Sequence, residues 1–276
     1  MSEEFRSPVA TSSRLFGDPL PDALAAYYVD LDAGRFRDAA RHFSDDVVYA
    51  IPPAGEIETN PRVVHRGRDA LIAWFGRRGV TASAHEVLLC VREGSSCLLE
   101  GVSRDTTTGR ATASFVASAQ LGGDGRVTRY LTYLCTPPAD RAPTGDGPAP
   151  AAASDVLHDY FSALDTGNFA AAVDRFSDDV MYSHPPYRHT GLDGNDRVVF
   201  RGRDELLAAF RARGAQSFDH TLLASIQRGP HCLVEGVVQG LADGGGGSFI
   251  SSLTLDDRGR IRRYLSFYCE PGVPRA

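Results

Sequence analysis

Phe43-Ser44-Asp45-Asp46-Val47 occurs a second time, unchanged, as Phe176-Ser177-Asp178-Asp179-Val180. Working outward from this pair, the whole chain resolves into two copies of one unit. Upstream, Leu31-Asp32-Ala33-Gly34-Arg35-Phe36 matches Leu164-Asp165-Thr166-Gly167-Asn168-Phe169 at the same offset of 133 residues. Downstream, Pro52-Pro53 matches Pro185-Pro186, and a two-residue insertion then moves the offset to 135. At that offset Arg66-Gly67-Arg68-Asp69 matches Arg201-Gly202-Arg203-Asp204, His85 matches His220, and Glu100-Gly101-Val102 matches Glu235-Gly236-Val237. Near the end Arg129-Tyr130-Leu131 matches Arg263-Tyr264-Leu265. An ordered series of matches over so long a span is the signature of internal duplication.

The stretch between the copies is rich in Pro, Ala and Gly, which remove backbone donors and weaken regular structure. The expected organisation is therefore domain 1 over 19–135, a linker over 136–153 and domain 2 over 154–271. An extended linker of about 18 residues spans tens of Å, enough for the two domains to pair with each other.

Within a copy the pattern starts helical. Leu24, Tyr27, Tyr28 and Leu31 fall at helical spacing behind Pro21, which suits a first turn. Gly34 breaks this helix, and Phe36, Ala39, Ala40 and Phe43 mark a second, short one. Val47 to Ile51 reads as a strand, and Arg68 to Phe75 as a third helix ended by Gly79. The rest reads as two hairpins, 85–103 around Gly94-Ser95 and 111–134 around Gly123-Asp124-Gly125. Helices first and antiparallel strands after predict an α+β class, with the helices on one sheet face.

Composition narrows the function. The net charge is −6 and the basic residues are all Arg, with no basic block to follow a phosphate backbone. Nucleic acid and anionic membranes are not expected as partners. No apolar run of about 18 residues appears, and the first residues lack a signal-peptide core, so a cytoplasmic protein is expected. The five cysteines contain no CxxC and read as reduced, buried thiols, and no metal or cofactor is expected. Nucleotide-loop and serine-hydrolase motifs are absent from the sequence.

The Asp-x-Gly-x-Phe turn, the Phe-Ser-Asp-Asp-Val entry to the first strand and the Arg-Gly-Arg-Asp helix start together resemble the SnoaL-like branch of the nuclear transport factor 2-like superfamily. The resemblance extends over about 20–135 and 154–270. It implies two cone-shaped α+β barrels, each with three helices on a curved, mainly antiparallel sheet, forming an intramolecular pseudo-dimer. It also implies a cavity between helices and sheet for a small-molecule substrate. The superfamily holds ketosteroid isomerases, polyketide cyclases, scytalone dehydratases, epoxide hydrolases and non-catalytic binders, so the fold leaves the reaction open.

Several residues could carry chemistry in such a cavity. Tyr49 and Tyr182, at equivalent strand positions, suit a donor to a developing oxyanion, or an amphipathic wall. His85 and His220 start equivalent strands and suit a proton carrier, because imidazole titrates near neutrality, or a backbone-bonded strand end. Glu100 and Glu235 are either pocket bases or partners of Arg129 and Arg263 on the other sheet face. His184, Tyr187 and His189 concentrate polar aromatics in the second copy, which makes that copy the stronger candidate for catalysis. Tyr27, Trp74, Tyr160, Phe210, Tyr187 and His189 are expected to line the pocket and touch substrate, and His184 joins the candidate catalytic residues. The leading expectation is a cofactor-independent isomerase, cyclase or dehydratase acting by proton transfer on a polyketide- or terpenoid-like metabolite of secondary metabolism. A non-catalytic small-molecule binding or scaffold protein is the alternative. An epoxide hydrolase is a third reading that lacks a placed Asp and Arg pair.

Overall fold

A computed structural model describes residues 15–51, 63–135, 147–184, 198–216, 218–240 and 246–269. The first half runs β1 (Phe16–Gly17), α1 (Asp22–Asp32), α2 (Phe36–Arg41), β2 (Phe43–Ile51), β3 (Val63–Arg66), α3 (Arg68–Arg78), β4 (Ser83–Glu93), β5 (Ser96–Asp105), β6 (Ala111–Leu121) and β7 (Val127–Cys135). The second runs α4 (Ala153–Asp165), α5 (Phe169–Val173), β8 (Phe176–His184), β9 (Val198–Arg201), α6 (Arg203–Arg213), β10 (Asp219–Arg228), β11 (His231–Gln239), β12 (Gly247–Leu255) and β13 (Ile261–Cys269).

Each half is one sheet with three helices on one face. The sheet orders are β1-β4-β5-β6-β7-β2-β3 and β10-β11-β12-β13-β8-β9. Hairpins make most pairs antiparallel, and the first long strand of each half returns parallel to the last, β2 beside β7 and β8 beside β13. Three elements go beyond the sequence reading: β1 on the edge of β4, and the four-residue strands β3 and β9. No helix among the described residues is long and apolar enough to cross a membrane.

The repeated motifs now have physical reasons. In Arg-Gly-Arg-Asp, Gly67 takes φ +85° to turn the chain into α3, and Arg68 donates to the Phe43 carbonyl at 2.6 Å and pairs with Asp45 at 2.6 Å. That links the two most recognisable motifs of the repeat. In Glu-Gly-Val, the glycine lies under an aromatic ring of the next strand. A Cβ on Gly101 would meet Phe115 Cζ at 2.3 Å, and one on Gly236 would meet Phe249 Cζ at 2.3 Å.

The sheets are buried on both faces. On one face Cys97, Leu99 and Tyr130 join Tyr27, Phe43 and Phe75 under the helices. On the other, Ala50, Val116, Leu131 and Tyr133 pack against Ile250, Leu265 and Phe267 of the second half. The halves therefore meet sheet to sheet, through equivalent surfaces, as a pseudo-dimer.

This contact decides the roles of Glu100 and Glu235. Both carboxylates lie on the inter-half face and not under the helices. Each pairs with the arginine of the opposite copy: Arg129 Nη2 reaches Glu235 Oε1 at 2.6 Å, and Arg263 Nη2 reaches Glu100 Oε1 at 2.5 Å. Ser118 donates to Glu235 at 2.5 Å, and Ser252 donates to Glu100. The reading of these residues as pocket bases is corrected accordingly. They are buried cross-half ion pairs, and the partner is the arginine of the other copy and not that of their own.

Candidate functional site

The helix-side core of each half is a layer of tyrosines. Helix α1 places Tyr27 and Tyr28 side by side, and β2 and β7 place Tyr49 and Tyr130 opposite them. Tyr27 and Tyr49 share a hydroxyl hydrogen bond of 2.9 Å, and Tyr28 and Tyr130 one of 2.7 Å. The rings of Tyr49 and Tyr130 stack at 5.0 Å. The second half repeats the first bond, with Tyr160 and Tyr182 at 3.0 Å, and the stack of Tyr182 on Tyr264 at 5.0 Å. It varies the second bond. Phe161 replaces Tyr28, and Ser251, which stands where the first half has Ala117, donates to the Tyr264 hydroxyl at 3.0 Å. A buried hydroxyl needs a partner, and the two halves meet the requirement with different residues.

Burial pushes the Tyr49 hydroxyl up to about 12. It also raises Tyr182, and raises Tyr27, Tyr28 and Tyr160 well above the usual value, with neighbouring tyrosines adding to the effect on these three. These phenols stay protonated near neutral pH and can act as hydrogen-bond donors but not as bases.

A histidine–aspartate pair stands beside each layer. Asp32, the last residue of α1, accepts a 2.6 Å hydrogen bond from His85 Nδ1 and a 2.7 Å bond from the His85 backbone N–H. Asp165 does the same for His220, at 2.7 and 3.0 Å. A carboxylate against Nδ1 holds the proton there and leaves Nε2 as the ring's reactive nitrogen. Sequence reasoning found the histidines and missed both aspartates, which read only as part of a turn. Their joint recurrence with the histidines was the available signal.

The surroundings of the two pairs differ. In the first half a cavity of about 250 Å³ is lined by Leu15, Leu20, Tyr28, Val29 and Val87 together with Asp32 and His85. In the second half Phe161 covers the His220 ring at 4.4 Å, closer and more nearly parallel than Tyr28 over His85 at 5.3 Å, and Phe218 meets it edge-on at 5.2 Å. Ser83 occupies the position of Phe218 in the first half.

The remaining expected residues are placed as follows. Tyr27, Tyr160 and Phe210 are core side chains packed among other rings. Trp74 is half-buried at the edge of the first core, 5.5 Å from the Tyr49 ring. His184 is buried beside Tyr182, 5.7 Å between rings, where the first half has Ile51. Tyr187 and His189 lie outside the described residues. His65, unremarked in the sequence because its counterpart is Phe200, is buried on β3 beside Trp74. Burial, with the charge of Arg77, holds its pKa below the usual 6.5. Among the described residues no group of three or more His, Cys, Asp or Glu side chains is arranged to hold a metal ion.

The profile of the SnoaL-like domain matches the chain twice, over residues 24–130 and 157–264. The chain belongs to the SnoaL-like family. Solved structures similar to one half of this SnoaL-like tandem include a putative ketosteroid isomerase from Kribbella flavida, at 19% identity over 45% of this chain and 82% of that one, TM-score 0.34. An NTF-2 like protein of unknown function from Burkholderia xenovorans is 17% identical over 45% of this chain and 88% of its own, TM-score 0.35. A protein of unknown function with a cystatin-like fold from Methylobium petroleophilum is 20% identical over 47% and 82%, TM-score 0.36. Comparison with curated proteins gave no match.

Proposed function

We propose that this SnoaL-like tandem is a cofactor-independent enzyme of the isomerase, cyclase or dehydratase type. Its substrate is a small, largely apolar carbonyl compound of polyketide or terpenoid character, and His85 is the proton carrier. The observation that carries the reading is the grip of Asp32 on both the Nδ1 and the backbone N–H of His85 beside an apolar cavity. Asp32 fixes the ring and its tautomer, which leaves Nε2 as the nitrogen that takes a proton. A C–H next to a carbonyl gives its proton to Nε2, and the electron pair moves into the enolate. Return of that proton to another carbon completes an isomerisation, and its delivery to a departing hydroxyl completes a dehydration with loss of water. His220 and Asp165 are the equivalent pair of the second half.

The test is deuterium uptake from D2O into a panel of cyclic β,γ-unsaturated ketones, read by mass spectrometry. Enzyme-dependent uptake that falls at least 10²-fold in His85→Ala supports the reading. Uptake that His85→Ala leaves intact refutes it. A non-catalytic binder is the second reading. It is favoured by the tyrosine hydroxyls, which are bonded to one another, and it predicts saturable ketone binding with no uptake above background.

A further inference from the structure

We propose that His65 and Trp74 form a ligand contact peculiar to the first half, for a flat aromatic molecule carrying a hydroxyl group, whose ring lies against the indole and whose hydroxyl bonds His65 Nε2. This contact stands independently of whether His85 moves protons.

His65 is 8% exposed, and its Nε2 is buried with no hydrogen-bond partner among the described residues. A buried polar atom left unbonded is a standing cost, so a position that keeps one calls for an explanation. The second half supplies an internal control. Phe200 sits opposite Tyr182 on β9 as His65 sits opposite Tyr49 on β3, in the same register. The fold therefore accepts a phenyl ring here without any nitrogen. The neighbouring helix position varies in step: Trp74 in the first half is Ala209 in the second. The first half thus has an imidazole and an indole, 5.1 Å apart, where the second has a phenyl ring and a methyl group.

The chemistry of the two side chains selects the ligand. The half-buried indole, with His65 and Tyr49 beside it, offers ring surface to another flat ring. A neutral imidazole nitrogen is a donor in one tautomer and an acceptor in the other. A hydroxyl both donates and accepts, so it satisfies Nε2 in either case, whereas a carbonyl serves only one. Burial and Arg77 keep the ring uncharged near neutral pH, which fits a neutral hydroxyl better than an anion.

The chain has one tryptophan, so its single indole N–H resonance is a native reporter at the proposed contact. The full chain is titrated at pH 7.5 with 2-naphthol and with naphthalene, followed by nitrogen-15 NMR and by calorimetry. The expected result is a saturable shift of the Trp74 resonance, with 2-naphthol bound at least tenfold more tightly than naphthalene. His65→Phe, which installs the side chain the second half already accommodates, should bring 2-naphthol to the affinity of naphthalene. Trp74→Ala should weaken both ligands. The proposal is overturned by equal affinities in the wild-type protein, by 2-naphthol binding that His65→Phe leaves unchanged, or by an unmoved indole resonance at saturating ligand. A loss in His85→Ala as large as that in His65→Phe would move the contact to the other histidine and overturn it equally, whatever the outcome of the deuterium assay.

Discussion

Arg263→Ala should weaken the half of the molecule that does not contain it. Arg263 is in the second half, and its guanidinium holds Glu100 of the first through bonds of 2.5 and 3.0 Å. Both side chains are almost wholly buried, at 2% and 4% exposure. Removing one member of such a pair leaves an uncompensated buried charge and costs about 3–5 kcal/mol. With an m-value of about 3 kcal/mol per molar urea, that is a fall of about 1 M or more in the unfolding midpoint. Trp74, the sole tryptophan, reports on the first half alone, so its fluorescence during urea unfolding is the assay. The midpoint it reports should fall in Arg263→Ala. The double variant Glu100→Leu with Arg263→Met removes both charges and should recover most of the loss, since buried pairs replaced by apolar residues are often neutral or stabilising. A Trp74 midpoint that moves by less than about 0.3 M, or a double variant no better than the single one, would refute the reasoning.

Asp32→Asn should lower turnover of any substrate found by the deuterium assay by about 10²-fold or more with folding intact, because an amide can turn either its oxygen or its NH2 to Nδ1 and no longer fixes the tautomer of the His85 ring; steady-state kinetics and circular dichroism check both parts. His65, held below 6.5 in the folded state, resists a proton that the unfolded chain accepts. Stability should therefore fall as pH drops through about 6.5 and level off once the folded state also protonates, and the wild-type melting temperature should fall relative to that of His65→Phe over this window. Gly101→Ala drives a Cβ into Phe115 at 2.3 Å and the Glu86 carbonyl at 2.5 Å and should cost about 1–3 kcal/mol in urea unfolding. Gly76→Ala, in the exposed last turn of α3 with nothing within 4 Å of the new carbon, should gain up to about 0.5–1 kcal/mol in the same measurement.

The duplication and the glycine-marked turns made the fold class legible, because turn chemistry is local. What escaped was set by long-range pairing. The strand expected from Val47 begins at Phe43, since β2 meets β7 at Phe43 and, after an irregularity, again from Val48. Strand β3 is four residues long and carries no alternation of its own. The face of Glu100 stayed open because Cys97, Leu98 and Leu99 are all buried, and a sheet covered on both sides loses the period-two signal. At the site, histidines were legible as residue types. Their aspartate partners stand 53 and 55 residues away in sequence and become visible only when α1 and α4 lie across β4 and β10. His65 escaped for the opposite reason: comparing the copies highlights what they share, and this residue is one they do not.

The sheet-to-sheet contact has a consequence for how the protein behaves on dilution. A dimer of separate chains comes apart as its concentration falls below its dissociation constant. Here the second surface is tethered to the first at an effective concentration on the order of millimolar, however scarce the protein is. Association is thus relieved of any demand on expression level. In a true dimer every substitution also strikes both subunits at once, whereas here one copy can change alone. The exchanges of Tyr28 with Ala117 for Phe161 with Ser251, and of His65 with Trp74 for Phe200 with Ala209, are changes of that kind.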